Sequence, residues 1–229
     1  MLRNGHVRFG GRPAETHQFK DWQGAAGRPY TDLYSPWRGK VFKAYKITDI
    51  YSRKIVGSRV EDREADHLAV EMFATATAEH GPPQVVHADS GAAMTSNLLR
   101  DYLHQQGVEL SHNRPYTSND NPFSEAGFRT MKYRPDYPKV FTDLDAARVY
   151  IGEYVAWYNH QHKHSGIALF SPVQVHDGTW TQAWTRRDSA LQRYFDEHPE
   201  LFHARPRTPA PATTVGINLP NQQPQKQAA

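Results

Sequence analysis

The 229-residue sequence contains no cysteine. Disulfide bridges, thiolate zinc sites and cysteine nucleophiles are therefore excluded, and the composition fits a reducing cytoplasm. The sequence also lacks any run approaching about 18 consecutive apolar residues, which excludes a helix that spans a membrane. No apolar stretch follows the basic first residues, so we do not expect a secretory signal.

Charge of one sign is not in large excess, since the net charge of the whole chain is only +3. The positive charge is concentrated in residues 1–60, where 12 Lys and Arg residues stand against 4 Asp and Glu residues. A basic segment of this kind favours a polyanionic partner such as nucleic acid, but a solvated surface has the same composition. Charge alone leaves both interpretations open.

Hydrophobic residues make up 38% of the chain, which is enough for a folded core. Alternating apolar residues and turn signals predict strands at 30–34, 41–51, 54–60, 84–87 and 108–110. Apolar residues at helical spacing predict helices at 64–80, 95–106, 122–134, 142–160 and 181–197. Three antiparallel strands followed by alternating helices and short strands favour an α/β fold, with helices on both faces of a mixed sheet.

The composition divides the chain into four segments. Residues 1–28 are rich in Gly, Arg and His and are expected to form a basic arm. Residues 29–176 carry the alternating strands and helices and are expected to form the main domain. A helical extension is predicted over 177–204, and residues 205–229, with five prolines and no acid, are expected to be mostly disordered.

Two acidic residues lie where phosphoryl-transfer sites place carboxylates. Asp89 directly follows an apolar strand, and Glu125 lies in the first turn of the helix that Pro122 begins, with 35 residues between them. Taken singly, Asp89 is better explained as a solvated turn acid and Glu125 as an acid at a helix N-terminus. A site that clamps two divalent ions about 3.5–4 Å apart needs several converging carboxylates, whose oxygens suit Mg²⁺ or Mn²⁺.

Several segments resemble, in the right order, the catalytic core of bacterial insertion-sequence transposases, which have a retroviral-integrase-like fold. They are DIYSRKIVG at 49–57, HADSGAAMTS at 87–96, NDNPFSEAGFRTMKYRP at 119–135 and WYNHQHKHSGI at 157–167. The resemblance covers about residues 30–176 and makes 29–176 the integrase-like catalytic core. It implies a ribonuclease-H-like mixed sheet of three antiparallel and two parallel strands, flanked by helices.

The resemblance also implies an Asp-Asp-Glu triad that binds two Mg²⁺ or Mn²⁺ ions. Its second Asp is Asp89 and its Glu is Glu125. Lys132, seven residues after Glu125 on the same face of the helix, matches a family lysine that contacts substrate DNA. Further DNA contacts are expected from Arg129 and, unless their segment is an ordinary flexible loop, from Arg114 and Asn119.

The position of the first Asp is ambiguous. Counting back from DIYSRKIVG without a gap places Pro29 there, which leaves the site one carboxylate short. A hairpin three residues shorter, which is a small change in a surface turn, places Asp32 there, and we adopt Asp32 as the first catalytic and metal-binding carboxylate. Asp49 is the remaining alternative, although the family has an acid there that belongs to the second strand and is not a metal ligand.

The resemblance implies a DNA transposase or integrase core that cleaves and transfers strands at insertion-sequence ends. DNA and further copies of the chain are its expected partners, without a membrane or a small-molecule cofactor, at the bacterial nucleoid. The alternatives are a DNA-binding remnant without catalysis and a ribonuclease-H-like nuclease that joins nothing. Residues 1–28 are too short for the helix-turn-helix region that normally precedes such a core. We therefore expect a core portion of a longer or two-frame product, or a decayed copy.

Overall fold

The computed structural model describes residues 24–25, 30–88, 91–112 and 122–216, and for 24–25, 30 and 122–125 it describes the backbone alone. The strands are β1 (Gly24–Ala25), β2 (Tyr30–Tyr34), β3 (Val41–Asp49), β4 (Ile55–Glu61), β5 (Val85–Ala88) and β6 (Glu109–His112). The helices are α1 (Asp66–His80), α2 (Asn97–Gln105), α3 (Pro122–Lys132), α4 (Leu144–His160), α5 (Pro172–His176) and α6 (Trp180–Glu197).

The strands form one mixed sheet. β2 and β4 pair antiparallel with opposite edges of β3, and β1 pairs antiparallel with the same edge of β3 as β2. β1 also pairs in parallel with β5, and β5 pairs in parallel with β6. β1 and β2 lie end to end along the same edge of β3 and together occupy one strand position. The sheet thus has five strand positions, of which the first three are antiparallel and the last two pair in parallel with their neighbours. This arrangement confirms the predicted ribonuclease-H-like sheet.

Helices cover both faces of the sheet, and β3 contributes side chains to both cores. Ala44 belongs to the hydrophobic cluster that contains Phe128 of α3 and the apolar residues of α4. Tyr45 and Ile47 belong to the cluster formed with α1 and α2. Since successive side chains of a strand point to opposite faces, Lys46 lies on the same face as Ala44, beneath α3.

The longest core helix, α4, begins two residues after the predicted start at residue 142. The side chain of Asp143 accepts a hydrogen bond of 2.7 Å from the backbone N–H of Ala146 and so caps the helix. The hydroxyl of Thr142, the first residue of the predicted helix, donates to the Asp143 carboxylate and does not cap the helix. A carboxylate is the better acceptor for the first free N–H groups of a helix, because it also carries negative charge.

Side chains of α4 fasten the helix to β4. The buried amide of Asn159 accepts a hydrogen bond from the Ile55 N–H and donates one to the Ile55 carbonyl, both at 2.9 Å. At the other end of the strand, Arg148 donates to the Val60 carbonyl at 3.1 Å. These contacts explain the asparagine of the WYN sequence as a structural residue, since it holds α4 in register with the sheet.

The C-terminal segment differs from the prediction. Residues 205–208 lie along α6, where the Trp184 indole donates to the Thr208 carbonyl at 3.3 Å and the Thr208 hydroxyl donates to Asp188 at 2.8 Å. The expected disorder is therefore wrong for this part of the tail. Its prolines favour an extended backbone whose carbonyls accept from α6 side chains. Residues 217–229 lie outside the described residues.

The N-terminal boundary of the domain also differs from the prediction. We assigned residues 1–28 to an arm, but Gly24 and Ala25 form β1, between β3 and β5. The sheet therefore begins before residue 29, and residues 1–23 and 26–28 lie outside the described residues. Within the described ranges, no helix is long and apolar enough to cross a membrane.

Candidate functional site

The parallel strand β5 leads directly to Asp89. All four residues of β5 are buried, and the His87 ring lies 2.9 Å from the Ser111 hydroxyl on the neighbouring strand. Asp89 itself lies outside the described residues. The chain is anchored again shortly afterwards, where the Ala93 N–H donates to the Glu64 carboxylate at 3.2 Å. In the sequence, Asp89 therefore stands between a buried strand and a turn that a hydrogen bond to Glu64 holds in place.

Glu125 lies in the first turn of α3, as predicted, although its side chain is outside the described residues. Phe128, one turn later, is buried against the sheet. The Tyr154 hydroxyl of α4 donates to the Gly127 carbonyl at 2.9 Å. Because both contacts lie next to the first turn, they fix the helix backbone that carries Glu125.

The outer face of α3 is basic. Lys132 and Arg129 are exposed in its last two turns, and the Arg129 guanidinium lies 5.4 Å from the centre of the Tyr133 ring. Arg114 and Asn119, the other two residues expected to contact DNA, lie outside the described residues. The structure thus brings Arg129 and Lys132 together on one exposed surface, which suits contacts with phosphate groups.

The strand register relates β3 to the end of β5. Ala25 of β1 pairs with His87 on one side and with Thr48 on the other, so these three residues form one level of the sheet. Lys46 is two residues before Thr48 in β3. Because β3 runs antiparallel to β1 and β5, Lys46 lies closer than Thr48 to the edge of the sheet at which β5 ends. Residues 26–29, which follow β1 in the chain, contain no acid.

The described geometry does not bring Asp32 to α3. Asp32 pairs with Lys43, and their side chains form an ion pair of 2.6 Å in which the aspartate is 42% exposed. Lys43 is three residues from Lys46, the residue of β3 that contacts α3, which corresponds to about 10 Å along the strand. The neighbouring Leu33 is buried on the face covered by α3 and α4, so Asp32 points to the opposite face. Its role as a metal ligand stays a prediction.

Asp49 has a structural role in the turn after β3. Its fully buried carboxylate accepts hydrogen bonds from the backbone N–H of Tyr51 and from the N–H and hydroxyl of Ser52. The His176 ring of α5 lies 3.6 Å away. Asp49 is the last residue of its strand, and its carboxylate holds the turn that leads to β4.

A buried lysine was not predicted as part of the site. Lys46 is only 4% exposed, and its Nζ lies 3.4 Å from the Thr48 hydroxyl and 4.7 Å from the centre of the Phe128 ring. Burial lowers the pKa of Lys46 to about 7. The available signal was the spacing of Lys43 and Lys46, because two lysines three apart in a strand face opposite sides of a sheet that helices cover on both faces.

Gly127 of α3 has no side chain, and the Lys46 side chain fills the space beside it. A Cβ atom at position 127 would overlap Lys46 Nζ and would lie 3.2 Å from its Cε. The lysine side chain therefore occupies the space that any side chain at position 127 would need. The first half of α3 and this level of β3 are thus in direct contact at the end of the sheet where β5 terminates.

The described residues contain no group of three or more His, Asp or Glu side chains that could hold a metal ion. The side chains of Asp89 and Glu125 lie outside this described part. Carboxylate oxygens fit Mg²⁺ or Mn²⁺. The assignment of Asp32, Asp89 and Glu125 as metal ligands stays a prediction.

Comparisons with known proteins agree with the fold. Two family models, each described as an integrase core domain, match residues 28–118 and 106–172. A solved retroviral assembly, the simian T-cell lymphotropic virus intasome in complex with PP2A regulatory subunit B56 gamma, is similar with a TM-score of 0.51 and 14% identity. The match covers 76% of this chain and 60% of that chain, and it shows the fold alone.

Curated relatives are similar over most of the same region. The transposase for insertion sequence element IS904 of Lactococcus lactis is 33% identical over 137 residues, which are 58% of this chain and 54% of that protein. The putative transposase for insertion sequence element IS986/IS6110 of Mycobacterium tuberculosis is 24% identical over 184 residues, which are 75% of this chain and 65% of that protein. The chain thus spans between half and two thirds of the length of these relatives.

Proposed function

This chain belongs to the integrase core family of insertion-sequence transposases, and we propose that it cleaves and joins DNA ends by phosphoryl transfer. One observation carries the proposal. β5 ends at Ala88, directly before Asp89, at the same end of the sheet where Gly127 of α3 contacts Lys46. Glu125 is two residues before Gly127, so both candidate carboxylates start from backbone at this end of a ribonuclease-H-like sheet.

Under this proposal, Asp89 and Glu125 bind Mg²⁺ or Mn²⁺. Divalent ions bound there supply Lewis acidity toward the scissile phosphate and activate the attacking water or DNA 3′-hydroxyl. The role of the protein in this reaction is to hold two negatively charged side chains at a fixed separation. The buried strand β5 directly precedes Asp89 in the sequence, and the contacts of Phe128 and Gly127 hold the helix backbone that carries Glu125.

The full triad prediction adds Asp32 as the third carboxylate and a second metal ion. If Asp32 binds metal, Asp32→Asn should reduce activity as severely as Asp89→Asn does. If it serves only as the partner of Lys43, an exposed ion pair of this kind contributes little, and the variant should retain most activity.

DNA is the partner in this proposal, with contacts from Arg129 and Lys132 on α3 and from Arg114 and Asn119 in the preceding segment. The exposed basic surface of α3 supports the first two contacts. Strand transfer joins two DNA segments, so the proposal includes assembly of several copies of the chain on DNA.

The experiment is a disintegration assay on branched DNA with Mg²⁺ or Mn²⁺. This substrate depends little on recognition of the element ends. We expect strand joining in the wild type and a loss of about 100-fold or more in Asp89→Asn and Glu125→Gln, because each variant removes a charged metal ligand. DNA binding should remain nearly intact. Asp101→Asn, an exposed acid of α2, is the matched control and should react normally.

The other outcomes separate the alternatives. Cleavage without joined product would indicate a nuclease. Salt-sensitive DNA binding by a folded protein, without any metal-dependent reaction, would indicate a remnant, in agreement with the lack of an acid in residues 26–29. An equal loss of DNA binding and chemistry in both carboxylate variants would contradict their assignment as metal ligands.

A further inference from the structure

The hairpin between β2 and β3 presents an exposed tryptophan. Trp37 lies in its turn and is 55% exposed, and Tyr34, the last residue of β2, is 60% exposed. Two large rings that stay in water forgo the stabilisation that burial would give them. Scattered apolar residues are common on protein surfaces, so the rings alone do not indicate a partner. The way they are held and the charge around them do.

Hydrogen bonds within the turn hold Trp37 in place. The Ser35 hydroxyl donates to the Lys40 carbonyl at 2.8 Å and accepts from the Trp37 N–H at 3.3 Å. The Lys40 N–H donates to the Trp37 carbonyl at 3.1 Å, and Gly39, with a φ of 79°, supplies the left-handed conformation that closes the turn. A ring on an ordered turn binds a ligand with a smaller loss of entropy than a ring on a mobile loop.

Positive charge lies beside the tryptophan ring. The Lys40 Nζ is 5.3 Å from the centre of the Trp37 ring. The segment 137–141, which follows α3, lies against the hairpin, because the Phe141 N–H donates to the Tyr34 carbonyl at 2.8 Å. The hairpin and this segment together expose two aromatic rings and three cations. We call this set the hairpin surface, and it consists of Tyr34, Trp37, Arg38, Lys40 and Lys139.

The charge of the hairpin surface suits an anionic partner. Residues 34–42 and 137–141 contain no acid. The acids that flank these two segments in the sequence are already engaged. Two of them form ion pairs of 2.6 Å with Lys or Arg and the third caps α4, and they are Asp32, Asp136 and Asp143. Exposed aromatic rings beside cations are typical of surfaces that bind single-stranded nucleic acid, where bases stack on the rings and phosphates contact the cations.

The strand register places the hairpin at the end of the sheet where β5 ends. His87 shares a level with Thr48, so Ala88, the last residue of β5, lies at the level of Ile47. From that level β3 continues for six residues to Val41, paired with β2 and β4, which corresponds to about 20 Å. Successive phosphates of a strand in duplex DNA are about 3.4 Å apart along the helix axis, so the hairpin projects past the end of β5 by about six nucleotides.

We propose that the hairpin surface binds a single-stranded stretch of DNA, in which one base stacks on Trp37 and Lys40 contacts an adjoining phosphate. The choice of DNA rests on the proposed function, and the inference deepens that function by naming the form of DNA that this surface takes. In a duplex the neighbouring base pairs cover the face of each base, so Trp37 can stack only on a base that is unpaired or at an end. Arg38 and Lys139 add positive charge for the flanking phosphates.

The experiment measures the affinity of the whole chain for a labelled oligothymidylate of about 15 nucleotides by fluorescence anisotropy, without divalent metal. Trp37→Ala should weaken binding about tenfold, because one stacked base is lost. Trp37→Phe keeps a ring and should bind within about threefold of the wild type. The oligonucleotide should quench tryptophan fluorescence in the wild type and much less in Trp37→Phe, a difference that a merely structural role of Trp37 would not produce.

Two matched controls separate the ring from the charge. Tyr194→Ala removes a ring that is 47% exposed on α6 and should leave the affinity unchanged. Lys40→Gln should reduce the slope of log affinity against log salt concentration by about 0.7, which corresponds to one phosphate contact on a single strand. Arg100→Gln removes a charge from the exposed surface of α2 and should leave that slope unchanged.

An unchanged affinity in Trp37→Ala, or an equal loss in Tyr194→Ala, would overturn the proposal. So would an equal loss of affinity for a blunt duplex in Trp37→Ala, because stacking on unpaired bases would then not be the role of Trp37. Self-association that Trp37→Ala abolishes, with normal affinity for the oligonucleotide, would mean that the hairpin surface contacts a second copy of the chain.

The disintegration assay separates this inference from the function on which it rests. Strand joining by the wild type together with an unchanged affinity in Trp37→Ala would sink the inference alone. Weaker single-strand binding in Trp37→Ala, in a protein that neither cleaves nor joins DNA, would support the hairpin surface and contradict the proposed chemistry. A folded chain that binds no DNA would contradict both.

Discussion

The Lys46 side chain of β3 lies against Gly127 of α3, in the space where a Cβ atom at position 127 would be. Glycine within a helix normally destabilises it by about 0.5–1 kcal/mol relative to alanine. At position 127 alanine has no space, because its Cβ atom would overlap the lysine ammonium. The glycine is therefore a consequence of the buried lysine.

This pairing gives a stability prediction. Gly127→Ala should fail to stabilise the wild type, because the lysine must move away from a new methyl group. In a Lys46→Met background the side chain ends where Cε was, 3.2 Å from the new Cβ, and the same change should raise the free energy of unfolding by about 0.5–1 kcal/mol. Urea unfolding of the four proteins measures the coupling. Equal effects of Gly127→Ala in both backgrounds would contradict the contact.

His164 makes folding stability depend on pH. Burial, followed by the charge of Arg53 and the neighbouring His162, lowers the pKa of His164 to about 4. Its Nδ1 also accepts a hydrogen bond of 3.0 Å from the Gly166 N–H, which a protonated ring cannot accept. Between pH 6.5 and 4 the unfolded chain binds more protons than the folded one, so stability falls as the pH falls through this window.

We expect this histidine to account for about 1–2 kcal/mol of unfolding free energy lost between pH 6.5 and 4.5, after allowance for partial exposure. His164→Asn keeps a side-chain acceptor for Gly166 and does not titrate. Urea unfolding at a series of pH values should therefore show a flatter curve for the variant than for the wild type. Parallel curves would show that His164 does not contribute.

At the scale of elements, the sequence predicts best where apolar periodicity is strong. β2 matches its predicted bounds, and α1, α4 and α6 are placed within a few residues, because each has a clear repeat of apolar side chains. β1 was missed because Gly24 and Ala25 show no alternation, and their place in the sheet is decided by pairing with β3 and β5.

Two further differences have the same origin in long-range contacts. The proline-rich segment 205–216 has the composition of a disordered tail, but α6 offers it side-chain donors and acceptors such as Trp184 and Asp188. The burial of Lys46 likewise depends on α3, which lies about 80 residues later in the chain. The local sequence pattern therefore does not predict either contact.

At the scale of the whole molecule, the proposed DNA surface lies on one side of the sheet. α3 carries Arg129 and Lys132 on its exposed face, whereas α2 belongs to the opposite side. Phosphate contacts release counterions, so each one contributes to the salt dependence of DNA affinity. Binding should therefore be lost selectively when charge is removed from the α3 side.

Lys132→Ala should weaken DNA binding at low salt and reduce the slope of log affinity against log salt concentration by about 1. Arg100→Ala, on the exposed surface of α2, removes the same charge from the other side and should leave the slope unchanged. Fluorescence anisotropy with labelled duplex DNA at several salt concentrations measures both. An equal change in the two variants would mean that the protein does not bind DNA through α3.

The hydrogen bonds from α4 side chains to the backbone of β4 affect how this chain can associate with other protein molecules. A strand at the border of a sheet exposes backbone groups that can pair with another protein and so extend the sheet between molecules. In β4, Asn159 occupies both backbone groups of Ile55 and Arg148 occupies the carbonyl of Val60. A second molecule would have to displace α4 to continue the sheet there. Sheet extension between molecules is therefore hindered at Ile55 and Val60.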